Sequence, residues 1–152
     1  MNLQEILDDR IIVINLEANN KEQAITKLVQ KLKEANYIDD IEAFKKDIYH
    51  RESLGSTGIG NNIAIPHGHS ESVIKNGVAI GKLQNEIEWE TLDDKGVKLV
   101  CLFAVSKNGN SAETHLEILS EFASKLGDDE AIKELLRAKN VEEIKKVFIE
   151  EV

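Results

Sequence analysis

A chain of 152 residues fits a single domain (1–152), and its 41% hydrophobic and 31% charged residues support a packed core beneath a solvated surface rather than disorder. The formal net charge of -9 disfavours nucleic acid and anionic membranes as partners, and one cysteine rules out an internal disulfide or a thiolate metal cluster. A mean hydropathy of -0.30 with no long apolar run predicts no transmembrane helix, the polar start MNLQEILDDR predicts no signal peptide, and a soluble, cytoplasmic protein is expected.

Ile11–Leu16 is a short β-branched run that predicts a strand buried on both faces. Asn20, with Gln23 three residues on, reads as a capping box, and Ile25, Leu28, Val29 and Leu32 then recur at helical spacing to about Ala35. Asp39 and Glu42 repeat the start signal for a second helix, whose stripe of Ile41, Phe44 and Ile48 ends near His50. Arg51–Gly60 carries Gly55, Gly58 and Gly60 and predicts a loop that brings backbone close to a ligand. Ile63–Ile65 is a short strand running into Pro66–His67. Asn76-Gly77 and Lys95-Gly96 are turn signals ahead of strands Val78–Leu83 and Val97–Val105, the second so apolar that it is expected at the centre of a sheet. Ser111 predicts the cap of a helix striped by Leu116, Leu119, Phe122, Ala123 and Leu126 and stopped by Gly127. Asp128 starts a short helix with Ile132, Leu135 and Leu136. Asn140 with Glu143 opens a last one with Ile144, Val147 and Phe148. The order βααβββααα places the chain in the α/β class, most simply buried as a sheet with helices on both faces.

The chemistry centres on the four histidines, His50, His67, His69 and His115. His67 follows the one proline, Pro66, which fixes the local chain direction, and precedes Gly68, which admits close neighbours. Such a histidine is positioned for chemistry, or else simply caps a loop by a hydrogen bond. His115 falls near a helix N-terminus, which depresses an imidazole and favours anions, or it is a partly buried histidine bonded to a carbonyl. Arg51, followed by the hydroxyls of Ser53, Ser56 and Thr57, makes a cradle for an oxyanion or phosphoryl group; taken alone, it reads first as a cation at a helix C-terminus. The glycine loop lacks a P-loop lysine and the dinucleotide-binding spacing. His67-Gly68-His69 has the spacing of a metal-ligand pair, with His115 as a third. His50 has nothing to set it apart from surface, Trp89 plugs a loop, and Cys101, inside an apolar strand, reads as inert core.

The stretch from Glu52 to Gly68, with Gly58-Ile59-Gly60 and Ala64-Ile65-Pro66-His67-Gly68 at its heart, closely resembles the active-site segment of the fructose/mannitol-type (type 2) EIIA domains of the bacterial phosphoenolpyruvate-dependent sugar phosphotransferase system. Thr114-His115-Leu116 resembles that family's second histidine segment, and the resemblance extends over nearly the whole chain. It implies a three-layer α/β/α sandwich with a mixed sheet. It also implies a phosphocarrier that accepts a phosphoryl group from phospho-HPr on a histidine and passes it to a cysteine of an EIIB domain during coupled sugar uptake, meeting the membrane component EIIC only indirectly. By match to the motif, His67 is the phosphorylated residue, His115 the second active-site histidine and Arg51 the nearby cation, with Ser56 and Thr57 in the phosphoryl-binding segment. No metal and no cofactor is required. His69 departs from the family, where arginine or lysine is common, and a neutral imidazole there weakens the local positive charge.

Two other readings stay open on the sequence. A nitrogen-type regulatory EIIA resembles the chain around the same motif and signals by binding partners according to its phosphorylation state. A zinc-dependent hydrolase would be built on His67, His69 and His115.

Overall fold

The computed structural model describes residues 7–107, 117 and 120–149. A 3₁₀ turn at Asp9–Ile11 leads into β1 (Ile12–Leu16), followed by α1 (Lys21–Glu34), α2 (Ile41–Leu54), β2 (Gly58–Gly60), β3 (Ile63–Ala64), β4 (His67–Ser70), β5 (Gly77–Ile87) and β6 (Val97–Ser106). Helical residues 120–125 (α3), α4 (Asp129–Arg137) and α5 (Val141–Ile149) complete the described chain. The expected cap at Ser111 and the stripe positions Leu116 and Leu119 lie outside the described residues.

The helix starts follow local chemistry. The Asn20 side chain accepts the Gln23 amide at 2.9 Å, and the Gln23 side chain reaches back to the Asn19 amide, one residue earlier than a strict capping box would place it. Asp40, not Asp39, caps α2 by accepting the Ala43 amide at 3.1 Å. Asp128 caps α4, and the Asn140–Glu143 pair at the start of α5 exchanges side-chain bonds with the amides of Glu143 and Lys139.

Six strands form one mixed sheet in the order β1-β5-β6-β3-β2, with β4 also pairing β6. β6 is central, as its apolar run predicts: it is antiparallel to β5 and parallel to both β3 and β4, which lie one after the other along its far edge. Side chains alternate across the sheet. Ala79, Leu83, Val100, Leu102 and Ala104 pack with Ile25, Leu28, Val29, Leu32, Phe44 and Ile48 of α1 and α2. Val78, Ile80, Leu99, Cys101 and Phe103 pack with Phe122, Leu126, Ile132, Leu135, Ile144 and Phe148 on the other side. The result is the three-layer α/β/α sandwich.

The structure corrects the sequence reading at four places. β1 begins at Ile12, one residue later than expected, and is an edge strand with Asn15 exposed, although Ile12 and Ile14 pack into one layer and Val13 and Leu16 into the other, as the run predicts. β2 and β4 are strands that the sequence reading did not predict, because Gly58-Ile59-Gly60 and His67-Gly68-His69-Ser70 contain no run of apolar side chains. α2 runs one turn beyond His50 to Leu54; its last residues are polar and drop out of the apolar stripe while remaining helical. Finally, β5 extends to Ile87, four residues past the expected end at Leu83.

Candidate functional site

Two backbone anchors fix the chain on either side of Pro66. The Ile65 amide donates to the Thr57 carbonyl at 2.9 Å, and the Phe103 amide donates to the Pro66 carbonyl at 2.9 Å. His67 then opens β4 in register with Phe103. Gly68, the next residue, lies directly under Phe44 of α2: a Cβ there would come within 2.3 Å of the Phe44 ring. A larger residue cannot occupy this position without pushing β4 and α2 apart, so the glycine sets the depth at which the histidine sits.

The His67 ring is half-buried and stands edge-on to Phe103, with centroids 4.7 Å apart. Phe103 meets Phe122 edge-on at 5.4 Å, and Phe122 stacks on Phe148 at 4.1 Å, so a column of aromatic rings supports the imidazole. Burial is the first cause that holds the His67 pKa below its ordinary 6.5. The Ile65 carbonyl opposes it by favouring the protonated ring, the Arg51 cation lowers the pKa further, and the Glu52 carboxylate raises it. The ring is therefore neutral near pH 7. Its Nδ1 is buried and has no hydrogen-bond partner among the described residues.

Arg51 and Glu52 occupy the last turn of α2, not the loop after it. Arg51 Nη1 donates to the Gly55 carbonyl at 3.1 Å, closing the helix end. The Glu52 carboxylate meets Lys21 Nζ at 2.7 Å and accepts the Thr57 hydroxyl at 2.7–2.9 Å. Thr57 is buried, at 2% exposure, and its hydroxyl is directed to this carboxylate. Ser56 donates its hydroxyl to the Glu90 carbonyl and accepts the Gly58 amide at 3.2 Å. Gly58 presses against the 90–91 backbone so closely that a Cβ would sit 2.4 Å from the Glu90 carbonyl oxygen, and the two segments join in a bridge between Gly58 and Thr91.

The structure thus brings His67, Arg51, Ser56 and Thr57 into one region, while His115 lies outside the described residues. His69 is exposed two residues along β4, on the same side of the strand as His67. Among the described residues no three His, Cys, Asp or Glu side chains are grouped to hold a metal ion. The sequence reading missed Lys21, Glu52 and Glu90 as neighbours of the loop. Trp89 is a buried plug, as expected, and Lys21 Nζ lies 5.0 Å from its ring centroid. Cys101 is fully buried, and burial pushes its thiol up, as suits inert core.

Comparison with known proteins bears on the chain as a whole. Residues 5–151 match the model of the family described as "Phosphoenolpyruvate-dependent sugar phosphotransferase system, EIIA 2". The chain is 38% identical over 144 residues to the fructose-specific EIIABC component of Bacillus subtilis (strain 168), covering 95% of itself and 22% of that protein. It is 32% identical over 151 residues to the mannitol-specific phosphotransferase enzyme IIA component of Staphylococcus aureus (strain N315), covering 97% of itself and 98% of that protein. The chain therefore spans about a fifth of one relative's length and nearly all of the other's. The structure superposes on the nitrogen regulatory protein IIA-Ntr of Neisseria meningitidis with a TM-score of 0.86 at 27% identity, over 96% of this chain and 98% of that one.

Proposed function

The chain belongs to the EIIA 2 family of the phosphoenolpyruvate-dependent sugar phosphotransferase system, and from that membership we propose that it is a phosphocarrier in sugar uptake. His67 takes a phosphoryl group from phospho-HPr and hands it to a cysteine of an EIIB domain; the membrane component EIIC is reached only through EIIB. The observation that carries this reading is His67 itself: a neutral, half-buried imidazole pinned at the head of β4, with the Arg51 cation in electrostatic reach.

The chemistry follows from the ring's surroundings. Nδ1 is buried, so Nε2 carries the attacking lone pair. Its bond to phosphorus forms as the donor histidine's P–N bond breaks, and the ring, now bearing PO₃ on Nε2 and a proton on Nδ1, gains cationic character. In the reverse sense the same P–N bond breaks when the EIIB thiolate attacks. Arg51 and His115 stabilise charge on the equatorial oxygens, His115 by the family pattern. Ser56 and Thr57 shape the loop around the phosphoryl group. Neither a metal nor a cofactor takes part. Among the described residues no helix is long and apolar enough to cross a membrane. The -9 charge suits docking on a basic face of HPr.

The deciding experiment is mass spectrometry after incubation with phosphoenolpyruvate, enzyme I and HPr. One acid-labile phosphate on His67, absent from His67→Ala, is expected. No phosphate, or phosphate on another histidine, overturns the reading.

A second reading, favoured by the superposition on the nitrogen regulatory protein, is a regulator that signals by binding partners according to its phosphorylation state instead of feeding a transporter. The sequence identities to the fructose and mannitol components favour transport. Phosphoryl transfer from the charged protein to a fructose- or mannitol-type EIIB separates the two: rapid transfer supports the carrier, and a stable phosphoprotein supports the regulator.

A further inference from the structure

Resting on the phosphocarrier reading, we propose that Glu52 is a positioning residue: clasped between Lys21 and Thr57, its carboxylate fixes the strand of backbone from which Ile65, Pro66 and His67 are hung, and so sets the rate of phosphoryl acceptance without touching the phosphoryl group.

The clasp joins four segments, two of them, around Lys21 and Glu90, distant in sequence from the Glu52–Thr57 stretch. Lys21 is the first residue of α1, Glu52 lies in the last turn of α2, Thr57 leads into β2, and Glu90 belongs to the connection after β5. Lys21 Nζ meets Glu52 at 2.7 Å and Glu90 at 2.7 Å, and lies 5.0 Å from the Trp89 centroid. The Glu52 side chain is only 7% exposed, and a carboxylate so far removed from water is costly unless every oxygen is met. Both are met: Oε1 by Lys21 at 2.7 Å, and Oε2 by the single proton of the Thr57 hydroxyl at 2.7 Å, with Oε1 a further 2.9 Å acceptor of that same proton. Such a buried pair contributes little net stability compared with apolar packing, so its value lies in geometry.

A continuous run of bonds leads from the clasp to the imidazole. The Thr57 hydroxyl holds Glu52, while the Thr57 carbonyl holds the Ile65 amide at 2.9 Å. Ile65 precedes Pro66, whose ring leaves the bend no freedom at φ. His67 follows at once, and its other restraint is the Pro66–Phe103 bond on the far side. Without the carboxylate, the buried Thr57 hydroxyl loses its acceptor and the Thr57–Ile65 anchor is free to shift. In-line transfer between two histidines tolerates little displacement, since about 1 Å can cost on the order of 10²-fold in rate.

The test uses single-turnover phosphoryl acceptance from phospho-HPr at several donor concentrations, with thermal unfolding recorded for each variant. Thr57→Val leaves every charge in place and removes only the hydroxyl. It is expected to lose at least about tenfold in the limiting rate with the donor KM within about twofold. Thr57→Ser, which restores the hydroxyl, is expected to return to near the wild-type rate. Glu52→Gln combined with Thr57→Val is expected to be no slower than the worse single variant, because both break one device. A wild-type rate in Thr57→Val, an equal loss in Thr57→Ser, or losses that multiply in the double variant each overturn the proposal. So does a fall in unfolding temperature with the rate unchanged, which assigns the clasp to stability alone. If the wild-type protein takes up no phosphate, the phosphocarrier reading fails before any variant is compared.

Discussion

The His67 imidazole meets the Phe103 ring edge-on at 4.7 Å, with the planes inclined at 84°. Phe103 is itself 1% exposed and edge-on to Phe122, so the site histidine and the core of the α3–α5 layer share one aromatic support. Phe103→Leu keeps most of the apolar volume and removes two edge contacts. It should cost about 1–2 kcal/mol in a denaturant titration. The same change loosens the wall beside His67, so its pKa should rise toward 6.5 in an NMR titration. Unchanged stability together with an unchanged titration would show that the ring pair does no supporting.

The depressed His67 pKa has a consequence for acid stability. Burial disfavours the imidazolium in the fold, whereas the unfolded chain protonates this histidine at about the ordinary 6.5. Below 6.5 the unfolded state binds a proton that the folded state refuses. The contribution of His67 is thus whole above that pH and is lost as pH falls toward the lower folded value. His67→Gln should flatten this part of the stability profile relative to wild type, with the curves diverging between pH 7 and the folded midpoint. Phosphoryl acceptance should stay level near neutrality and fall on the acid side, where the attacking lone pair is taken by a proton. A rate that rises on acidification would contradict a neutral nucleophile.

Gly68 and Phe44 form a pair that can be tested by compensation. A Cβ at residue 68 would stand 2.3 Å from the ring of Phe44, which is fully buried on α2. Gly68→Ala should therefore destabilise by about 1–3 kcal/mol and move the head of β4, slowing phosphoryl acceptance. Phe44→Leu in the same chain makes room, and the double variant should recover part of the acceptance rate despite its smaller core. Losses that simply add would mean that the glycine is present for some reason other than this contact.

What the sequence disclosed follows from the kind of signal each element carries. The apolar run Val97–Val105 and the stripe Ile25, Leu28, Val29, Leu32 are periodic, and both took the positions expected of them. β4 carries no such signal: His67-Gly68-His69-Ser70 is a strand because Phe44 packs on its glycine and β6 offers a free edge, both of which arise only in the folded molecule. In the sequence the expected site rests on the Glu52–Gly68 motif, by which His67 and the neighbouring Arg51 are singled out. The roles of Ser56 and Thr57 were not legible there, because a hydroxyl's partner is a matter of three-dimensional proximity: one serves the Glu90 carbonyl, the other a Glu52 side chain that sequence spacing gave no cause to notice. Lys21, at the start of a different helix, had no local signal at all.

Adjacent residues on the last turn of α2 act on His67 with opposite sign, and this gives the sharpest electrostatic test. The Arg51 cation disfavours a second positive charge on the imidazole, so Arg51→Gln should raise the His67 midpoint toward 6.5. The Glu52 carboxylate favours that charge, so Glu52→Gln should move the midpoint further down. Thr57→Val touches neither charge and should leave it in place. Phosphoryl acceptance should nevertheless fall in all three variants. Arg51→Gln should lose the most, on the order of 10²-fold, because it removes positive charge where the transferred oxygens become more negative. The midpoint and the rate therefore move independently: raising the pKa of the nucleophile does not rescue a site that has lost its cation. A rate that simply tracked the His67 midpoint across the three variants would refute separate roles for the two side chains, since basicity alone would then account for the transfer.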